Sequence, residues 1–201
     1  MLINGSRLKN YPVLSLHVGG KMAQTTVPII DPRKMQIVGF YVDGPLVNKA
    51  ENGDILETKM IREFSNIGMI IDSLDDLTSE GEVVKLDEVL NIGFQLEGKK
   101  VVTKKKSKLG KVIDYTVDPE SFLILQIIVQ RPPVKAFLDP ELVVSRKEIV
   151  EITDDKIIVK DEEEKIKKKA AKEDFVPNFV NPFREPNFAK ADSQTPGGQD
   201  N

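Results

Sequence analysis

The chain has 201 residues, of which 40% are hydrophobic and 6% aromatic, so it can form one large domain or two small ones with aliphatic cores. Its 29 Lys and Arg against 32 Asp and Glu give a net charge of −3, which excludes a uniformly basic nucleic-acid-binding protein. The absence of Cys excludes disulfides, cysteine catalysis and cysteine metal sites. A single histidine, His17, leaves little material for a histidine metal site or a catalytic triad.

The beginning of the sequence has no continuous apolar region followed by a small-residue cleavage site, so it does not have the pattern of a secretory signal. No apolar run approaches the roughly 18 residues that a membrane helix needs. These features predict a cytoplasmic protein, with peripheral contact to a membrane left open.

The first clear element is a predicted β-hairpin in residues 25–44, TTVPIIDPRKMQIVGFYVDG. Asp31 and Pro32 predict its turn, because Pro presets φ and the Asp side chain can bind the backbone two residues on. The flanking β-branched residues have strand propensity. Residues 60–71 then predict two further short strands around a polar turn.

A connecting segment follows at residues 74–92. Val83, Leu86 and Leu90 lie at helical spacing within it and predict a short helix. The run EVVKL could equally form a closing strand. The sequence alone leaves both alternatives open.

A second hairpin, LGKVIDYTVDPESFLILQIIVQ, occupies residues 109–130 and has the pattern of the first. The two align at an offset of 87 residues, from Asp31 to Asp118, and residues 148–159 match residues 60–71 at an offset of 88. The near-continuous apolar run FLILQIIV predicts a strand that is buried on both faces or lies in a closed sheet. Short strands of this kind can remove exposed edges by closing into small barrels.

The second hairpin also carries a Gly-Lys-Val-x-Asp pattern, an acidic turn and an aliphatic strand over residues 122–129. The pattern residues are Gly110, Lys111, Val112, Asp114, Asp118 and Pro119. Of these, Gly110, Asp114, Asp118 and Pro119 are predicted to be structural turn residues, like Asp31 and Pro32 of the first hairpin. This segment resembles PRC-barrel domains, the small β-barrels of the photosynthetic reaction-centre H subunit and of the C-terminal domain of a ribosome maturation factor. The first repeat, roughly residues 1–71, is degenerate, because Ala23 and Gln24 replace Gly-Lys and Val27 replaces the Asp.

The resemblance implies a mainly β protein of two tandem small PRC-like β-barrels, and it leaves the C-terminal tail out. Composition alone predicts that the barrels are followed by a charged helical and then disordered C-terminal tail. The expected units are a degenerate barrel at 1–73, the connecting segment at 74–92, a barrel at 93–160, a charged helical linker at 161–174 and a disordered tail at 175–201. The resemblance also implies a non-enzymatic adaptor that binds protein partners. No catalytic residues, cofactor, metal or small-molecule substrate are expected, because without Cys and with one His only carboxylate, Lys or Tyr chemistry remains.

Seven lysines and no acidic residue lie between residues 99 and 111. They are Lys99, Lys100, Lys104, Lys105, Lys106, Lys108 and Lys111. One hypothesis is weak binding of an anion, either RNA at the ribosome or anionic lipid. The other is that these lysines protect a sheet edge against aggregation. The segment has no Arg to contact bases in a bidentate manner and no aromatic residue to stack on them.

The C-terminal tail at residues 175–201 is rich in Pro, Asn and Gly, a composition typical of disorder. It nevertheless contains Phe175, Phe179, Phe183 and Phe188, spaced every four or five residues. Such spacing predicts either docking into a groove on a partner or docking onto the protein's own barrels. The leading hypothesis is therefore an adaptor in which this tail is an arm that recruits a partner. The alternatives are a ribosome-associated factor or a peripheral membrane or cell-division scaffold.

Overall fold

The structure, a computed structural model, describes residues 2–47, 53–133 and 140–161. The described part is mainly β, as predicted, with a single α-helix among the described residues. The linker and tail predicted beyond residue 161 lie outside the described residues. In the described part, no helix is long and apolar enough to cross a membrane.

The strands follow one another in chain order and are separated by turns and short 3-10 helices. They are β1 (Ile3–Asn4), β2 (Pro12–Ser15), β3 (Gly20–Asp31), β4 (Gln36–Asp43), β5 (Ile55–Glu57), β6 (Glu63–Ser65), β7 (Gly68–Ile71), β8 (Leu77–Thr78), β9 (Lys100–Thr103), β10 (Lys108–Val117), β11 (Ile124–Gln130), β12 (Glu141–Ser145), β13 (Ile149–Ile152) and β14 (Lys156–Val159). The α-helix, α1, is Val84–Leu90, and the 3-10 helices are Gly5–Leu8, Thr58–Met60, Leu74–Asp76 and Arg146–Glu148.

The strands form two sheets, and six strands of each have the same connectivity, whereas β8 has no counterpart among the described strands of the second sheet. The first sheet has the order β6-β7-β2-β3-β4-β5-β8, and the second has the order β13-β14-β9-β10-β11-β12, with β1 added beside β10. In both sheets one pair is parallel, β2 with β7 and β9 with β14. Pairing among the described strands follows a path rather than a ring, so closure into barrels stays a prediction.

The register of the two hairpins is also the same. Ile30 pairs with Ile37 in the first hairpin, and Val117 pairs with Ile124 in the second, each displaced by the offset of 87 residues seen in the sequence. The parallel pairs follow the second offset, because Val13 pairs with Met69 in β2 and β7 and the equivalent residues pair in β9 and β14. The structure therefore repeats the hairpin residue by residue.

Both central hairpin strands bury one face and leave the other partly open. The inward residues of β11 are Ile124, Ile127 and Val129, and all three are fully buried. Leu125 and Ile128 point away from this core and are partly exposed. Of the two alternatives for FLILQIIV, burial on both faces does not hold among the described residues, because one face lacks a covering layer there. The closed sheet stays a prediction.

The cores of the two sheets merge into one cluster. At its centre lies Phe122, which follows the turn of the second hairpin. Its ring packs against Phe40 and Phe64 of the first half, with a distance of 6.0 Å between ring centroids in each pair. The side chain of Phe122 is only 5% exposed. A shared core of this kind makes the two sheets one packed unit rather than two independent ones.

Backbone hydrogen bonds join the two hairpin turns in a reciprocal way. The Ile37 N–H donates to the carbonyl of Phe122 at 3.0 Å, and the Ile124 N–H donates to the carbonyl of Met35 at 2.8 Å. Met35 and Phe122 are equivalent positions at the offset of 87, and both have positive φ, 48° and 55°. The two repeats therefore meet around a local pseudo-two-fold axis, as in an isologous contact.

The N-terminal segment strengthens this junction. Strand β1 pairs with β10, so residues 3–4 belong to the second sheet although the following strands belong to the first. The Ser6 N–H and hydroxyl both donate to the Asp114 carboxylate, at 3.0 and 2.8 Å. The Arg146 guanidinium donates to the carbonyl of Lys34 at 2.7 Å.

Helix α1 covers the outer face of the first sheet. Its Leu86 and Val89 are buried against Ile29 and Ile55 in a small second core. Val83 and Leu90 pack against the rim of this core. The helical alternative for the connecting segment is thus confirmed, since the apolar residues at helical spacing face the sheet.

We predict that Gly110→Ala destabilises the fold by at least about 2 kcal/mol, because Gly110 has a backbone that L side chains rarely adopt. Its φ is +147°, and an added Cβ would lie 1.9 Å from the carbonyl oxygen of Gln130. The measurement is urea unfolding. Gly20→Ala is the matched control, because a Cβ at Gly20 meets nothing within 4 Å. Equal effects of the two substitutions would contradict the prediction.

We predict that Phe122→Ala destabilises both sheets together by about 3–5 kcal/mol, because it leaves a cavity in the shared core. Hydrogen exchange should report the same loss of protection in β4 and β11. The surface substitution Val84→Ala is the control, since Val84 is 74% exposed. Loss of protection confined to the second sheet would show that the two halves unfold separately.

Candidate anion-binding surface

The lysine-rich segment forms the β9–β10 hairpin and its turn. Thr103, which is 6% exposed, organises the turn: its carbonyl accepts from the Lys106 N–H at 2.9 Å and its hydroxyl accepts from the Ser107 N–H at 3.2 Å. Lys106 takes a positive φ of 63° at the tip. The turn thereby presents Lys104, Lys105 and Lys106 on the surface of the second sheet.

Three lysines form a row across adjacent strands. Lys111 in β10 pairs with Lys100 in β9, and Lys100 also pairs with Lys156 in β14. All three are exposed, and Gln130 of β11 extends the row beyond Lys111. We call Lys100, Lys111 and Lys156 the lysine row. Strands lie about 4.8 Å apart, and like charges directly opposite one another are destabilising, so a bound anion would relieve their repulsion.

A cleft of about 550 Å³ lies beside the lysine row. Its lining combines basic side chains with apolar ones. The described lining residues are Lys100, Val101, Val102, Lys108, Gly110, Lys111, Gln130, Arg131, Pro132 and Pro133. Cationic groups over an apolar floor suit a ligand that carries negative charge and some apolar surface, such as an acidic polypeptide segment.

Lys99 does not join this group. Its ammonium lies over the ring of Phe94, 4.6 Å from the centroid, and donates to the carbonyl of Asp154. These contacts hold the side chain half-buried. The structure therefore separates Lys99 from the other predicted lysines, because a cation held over an aromatic ring has already exchanged part of its water for protein.

The chain leaves the second sheet directly beside the lysine turn. The Lys104 N–H donates to the carbonyl of Val159 at 3.1 Å, and the Lys105 N–H donates to the Asp161 carboxylate at 3.4 Å. Asp161 is the first residue of the acidic run at 161–164. Negative charge is thus placed next to the turn by the path of the chain.

The predicted turn residues of the first hairpin behave as expected from the Asp-Pro pattern. Asp31, which is 2% exposed, accepts from the Arg33 N–H at 3.0 Å, two residues on, and from the Arg33 guanidinium at 2.9 Å. Pro32 occupies the turn that follows. The carboxylate thereby satisfies the backbone of the turn.

In the second hairpin Asp118 also accepts hydrogen bonds that hold the turn, but from a different residue. Its carboxylate accepts from the N–H of Ser121 at 3.2 Å and from the Ser121 hydroxyl, and Pro119 lies between them in the turn. These hydrogen bonds stabilise the ionised form, so the Ser121 contact lowers the pKa of Asp118. Both aspartates have roles in turn geometry. The other two predicted turn residues, Gly110 and Asp114, lie within strand β10 and not in a turn.

His17 lies just after β2, where its N–H donates to the carbonyl of Asp72 at 3.0 Å. Its side chain is exposed. Within the described ranges no three His, Asp or Glu side chains are placed to hold a metal ion.

Two basic residues of this surface were missed by the sequence analysis. Arg131 lines the cleft beside Pro132, although the lysine-rich segment itself contains no Arg. Lys156 enters the lysine row because β14 pairs with β9 in parallel. The matching pattern of residues 60–71 and 148–159 was a signal for β14, but its neighbour in the sheet follows only from the fold.

Comparison with protein families identifies the second half of the chain. Residues 93–166 match the model of the PRC-barrel domain. The chain contains a PRC-barrel domain. This PRC-barrel domain comprises β9 to β14 and therefore contains most of the lysine-lined surface, whereas residues 1–92 lie outside the match. No curated protein matches the chain.

We predict that changing the lysine row to Gln weakens binding to single-stranded poly(U) RNA and reduces the slope of log affinity against log salt by about 2, since each lost phosphate contact removes about 0.7. Fluorescence anisotropy between about 50 and 200 mM salt measures this slope. The matched control changes the exposed lysines Lys21, Lys85 and Lys147 to Gln. An equal reduction in the control would indicate a general charge effect instead.

We predict that Asp118→Asn lowers stability at pH 7 and that its difference from the native chain shrinks in acid. A carboxyl with a lowered folded pKa adds stability above its unfolded pKa, about 3.9, and loses it as pH falls through the folded pKa. Urea unfolding at pH 7 and pH 3 measures the difference. Asp155→Asn, at an exposed position, is the control. A difference that stays constant with pH would oppose this account.

Proposed function

We propose that this protein is a non-catalytic adaptor built on two PRC-like barrels, with the lysine-lined cleft as a docking site and the C-terminal arm as a recruiting element. The observation that carries the proposal is the PRC-barrel domain at residues 93–166, a kind of domain that often serves as a protein-interaction module. The first sheet is included because it repeats the strand order and register of the second.

The shared core supports a platform role. Because Phe122 and the reciprocal backbone bonds join the two sheets, surfaces on both are held at a constant spacing. A partner that contacts both sheets then loses little conformational freedom of the adaptor on binding. Rigid presentation of this kind suits a docking protein.

The charge of the cleft indicates the chemistry of its partner. The described lining includes three lysines and Arg131 and contains no acidic residue. Charge complementarity favours an acidic segment of a protein, and the apolar floor favours a chain with apolar side chains between its acids. Such a partner would be attracted most strongly at low salt.

A ribosome-associated role is the second candidate, and the lysine row is the observation that favours it. Three cations in line across a sheet can track a phosphate backbone without reading its bases. The described cleft has Arg131 but no aromatic side chain in its lining for stacking on bases. This candidate therefore predicts RNA binding that depends on salt and is tolerant of sequence.

The lysine row would contact anionic lipid headgroups by the same electrostatic attraction. A peripheral membrane or cell-division scaffold is therefore a further alternative.

An affinity capture from native lysate tests the adaptor role and separates the two candidates. We expect the full chain to retain a defined set of proteins, and a chain ending at Lys160 to lose those recruited by the arm. The lysine-row variant should lose partners rich in Asp and Glu, while the Lys21, Lys85 and Lys147 control keeps them. Capture of ribosomal RNA and proteins in place of acidic partners would favour the second candidate, and capture of nothing specific would refute both.

A further inference from the structure

The outer face of the second sheet is an apolar surface that has no covering element among the described residues. Leu125, Ile128 and Val143 lie on this face, opposite the buried core. Val143 is 53% exposed, and Leu125 and Ile128 are partly exposed. These residues do not belong to the two hydrophobic clusters of the described chain.

The same face of the first sheet is covered. By the register of the hairpins, Leu125, Ile128 and Val143 are equivalent to residues 38, 41 and 55. There Ile55 is completely buried, because Leu86 and Val89 of α1 pack on it. Among the described residues, one face of the repeated unit is thus covered in one copy and uncovered in the other.

The path of the chain supplies an occupant for the open face. In the first repeat the chain leaves β7, turns at Ser73 and reaches α1 within about a dozen residues. In the second repeat it leaves β14 and passes Asp161 at the position equivalent to Ser73. Ser73 caps its 3-10 helix together with Asp76, three residues later. The equivalent positions hold Asp161, a residue type that also caps helices, and the acid Glu164.

In the arm, which is the tail at residues 175–201, the first apolar residues lie at nearly the same sequence separation from β14 as the apolar residues of α1 do from β7. Leu86, which is buried on the first sheet, and Leu90, which packs at the rim of that contact, are four residues apart, and at an offset of 89 residues they align with Phe175 and Phe179. The other buried residue of α1, Val89, aligns with Asn178. This offset is one residue more than that of the preceding block. Pro177 lies between the two Phe residues and would interrupt an α-helix, so the correspondence concerns the apolar contact and not the helical backbone.

We infer that Phe175 and Phe179 of the arm cover the outer face formed by Leu125, Ile128 and Val143 of their own PRC-barrel domain. The arm then divides into two parts. Its first two Phe residues attach it to the domain, and Phe183 and Phe188 remain for a partner. The inference goes beyond the adaptor role, because it assigns an intramolecular site whether or not a partner exists.

Engineered disulfides test this placement, since the chain has no Cys of its own. The test pair is Val143→Cys with Val176→Cys, which keeps both Phe residues. The matched control is Val150→Cys with Val176→Cys, because Val150 is 46% exposed on β13, at the opposite end of the sheet. Oxidation of dilute, full-length protein is followed by mobility on non-reducing gels and by mass spectrometry.

We expect the Val143 pair to close at least tenfold faster than the Val150 pair. Adding Phe175→Ser and Phe179→Ser should slow the Val143 pair to the rate of the control. Equal rates in the two pairs, a rate unaffected by the Ser substitutions, or a disulfide that joins two chains would each overturn the inference. The assay uses purified protein alone, so failure to capture a partner from lysate leaves its result unchanged.

Discussion

The rest of the structure depends on the junction between the two hairpin turns. Phe122 lies between Phe40 and Phe64, and the backbone bonds on either side of it run reciprocally between the repeats. Aromatic rings in edge-to-face contact add to the stabilisation that burial alone supplies. Met35 and Phe122 accept a positive φ at this point, a local cost that the surrounding packing offsets.

The junction also decides which surfaces remain for binding. Because the inner faces of both sheets are used in the shared core, the outer faces and the sheet edges are left exposed. On the second sheet the outer face has a basic end, with the lysine row, and an apolar region around Val143. On the first sheet α1 closes the equivalent face. The two repeats are therefore alike in strand order and different in what their surfaces can bind.

The two repeats differ because their sequences differ at positions that make specific backbone and hydrogen-bond contacts. Gly110 allows β10 to approach β11 closely, and Asp114 binds the N-terminal segment through Ser6. The first repeat has Ala23 and Val27 at these positions. Val27 has no carboxylate to bind such a segment, and it is 51% exposed. The second repeat is the one that matches the PRC-barrel domain.

The sequence left a helix or a closing strand open for the connecting segment, and the helix at residues 84–90 is the outcome in which Leu86 and Val89 pack on the first sheet. The sequence by itself determined the other local features: the Asp-Pro turns, the paired β-branched strands and the PRC-barrel domain. These features depend on backbone preferences and on side-chain spacing within a few residues. Only the tertiary structure decided that Lys156 and Arg131 join the lysines of β9 and β10, that Lys99 is held apart, and that β11 is covered on one face by the shared core. Each of these depends on contacts between segments distant in the chain, and periodicity within one segment does not specify which other segment it will meet.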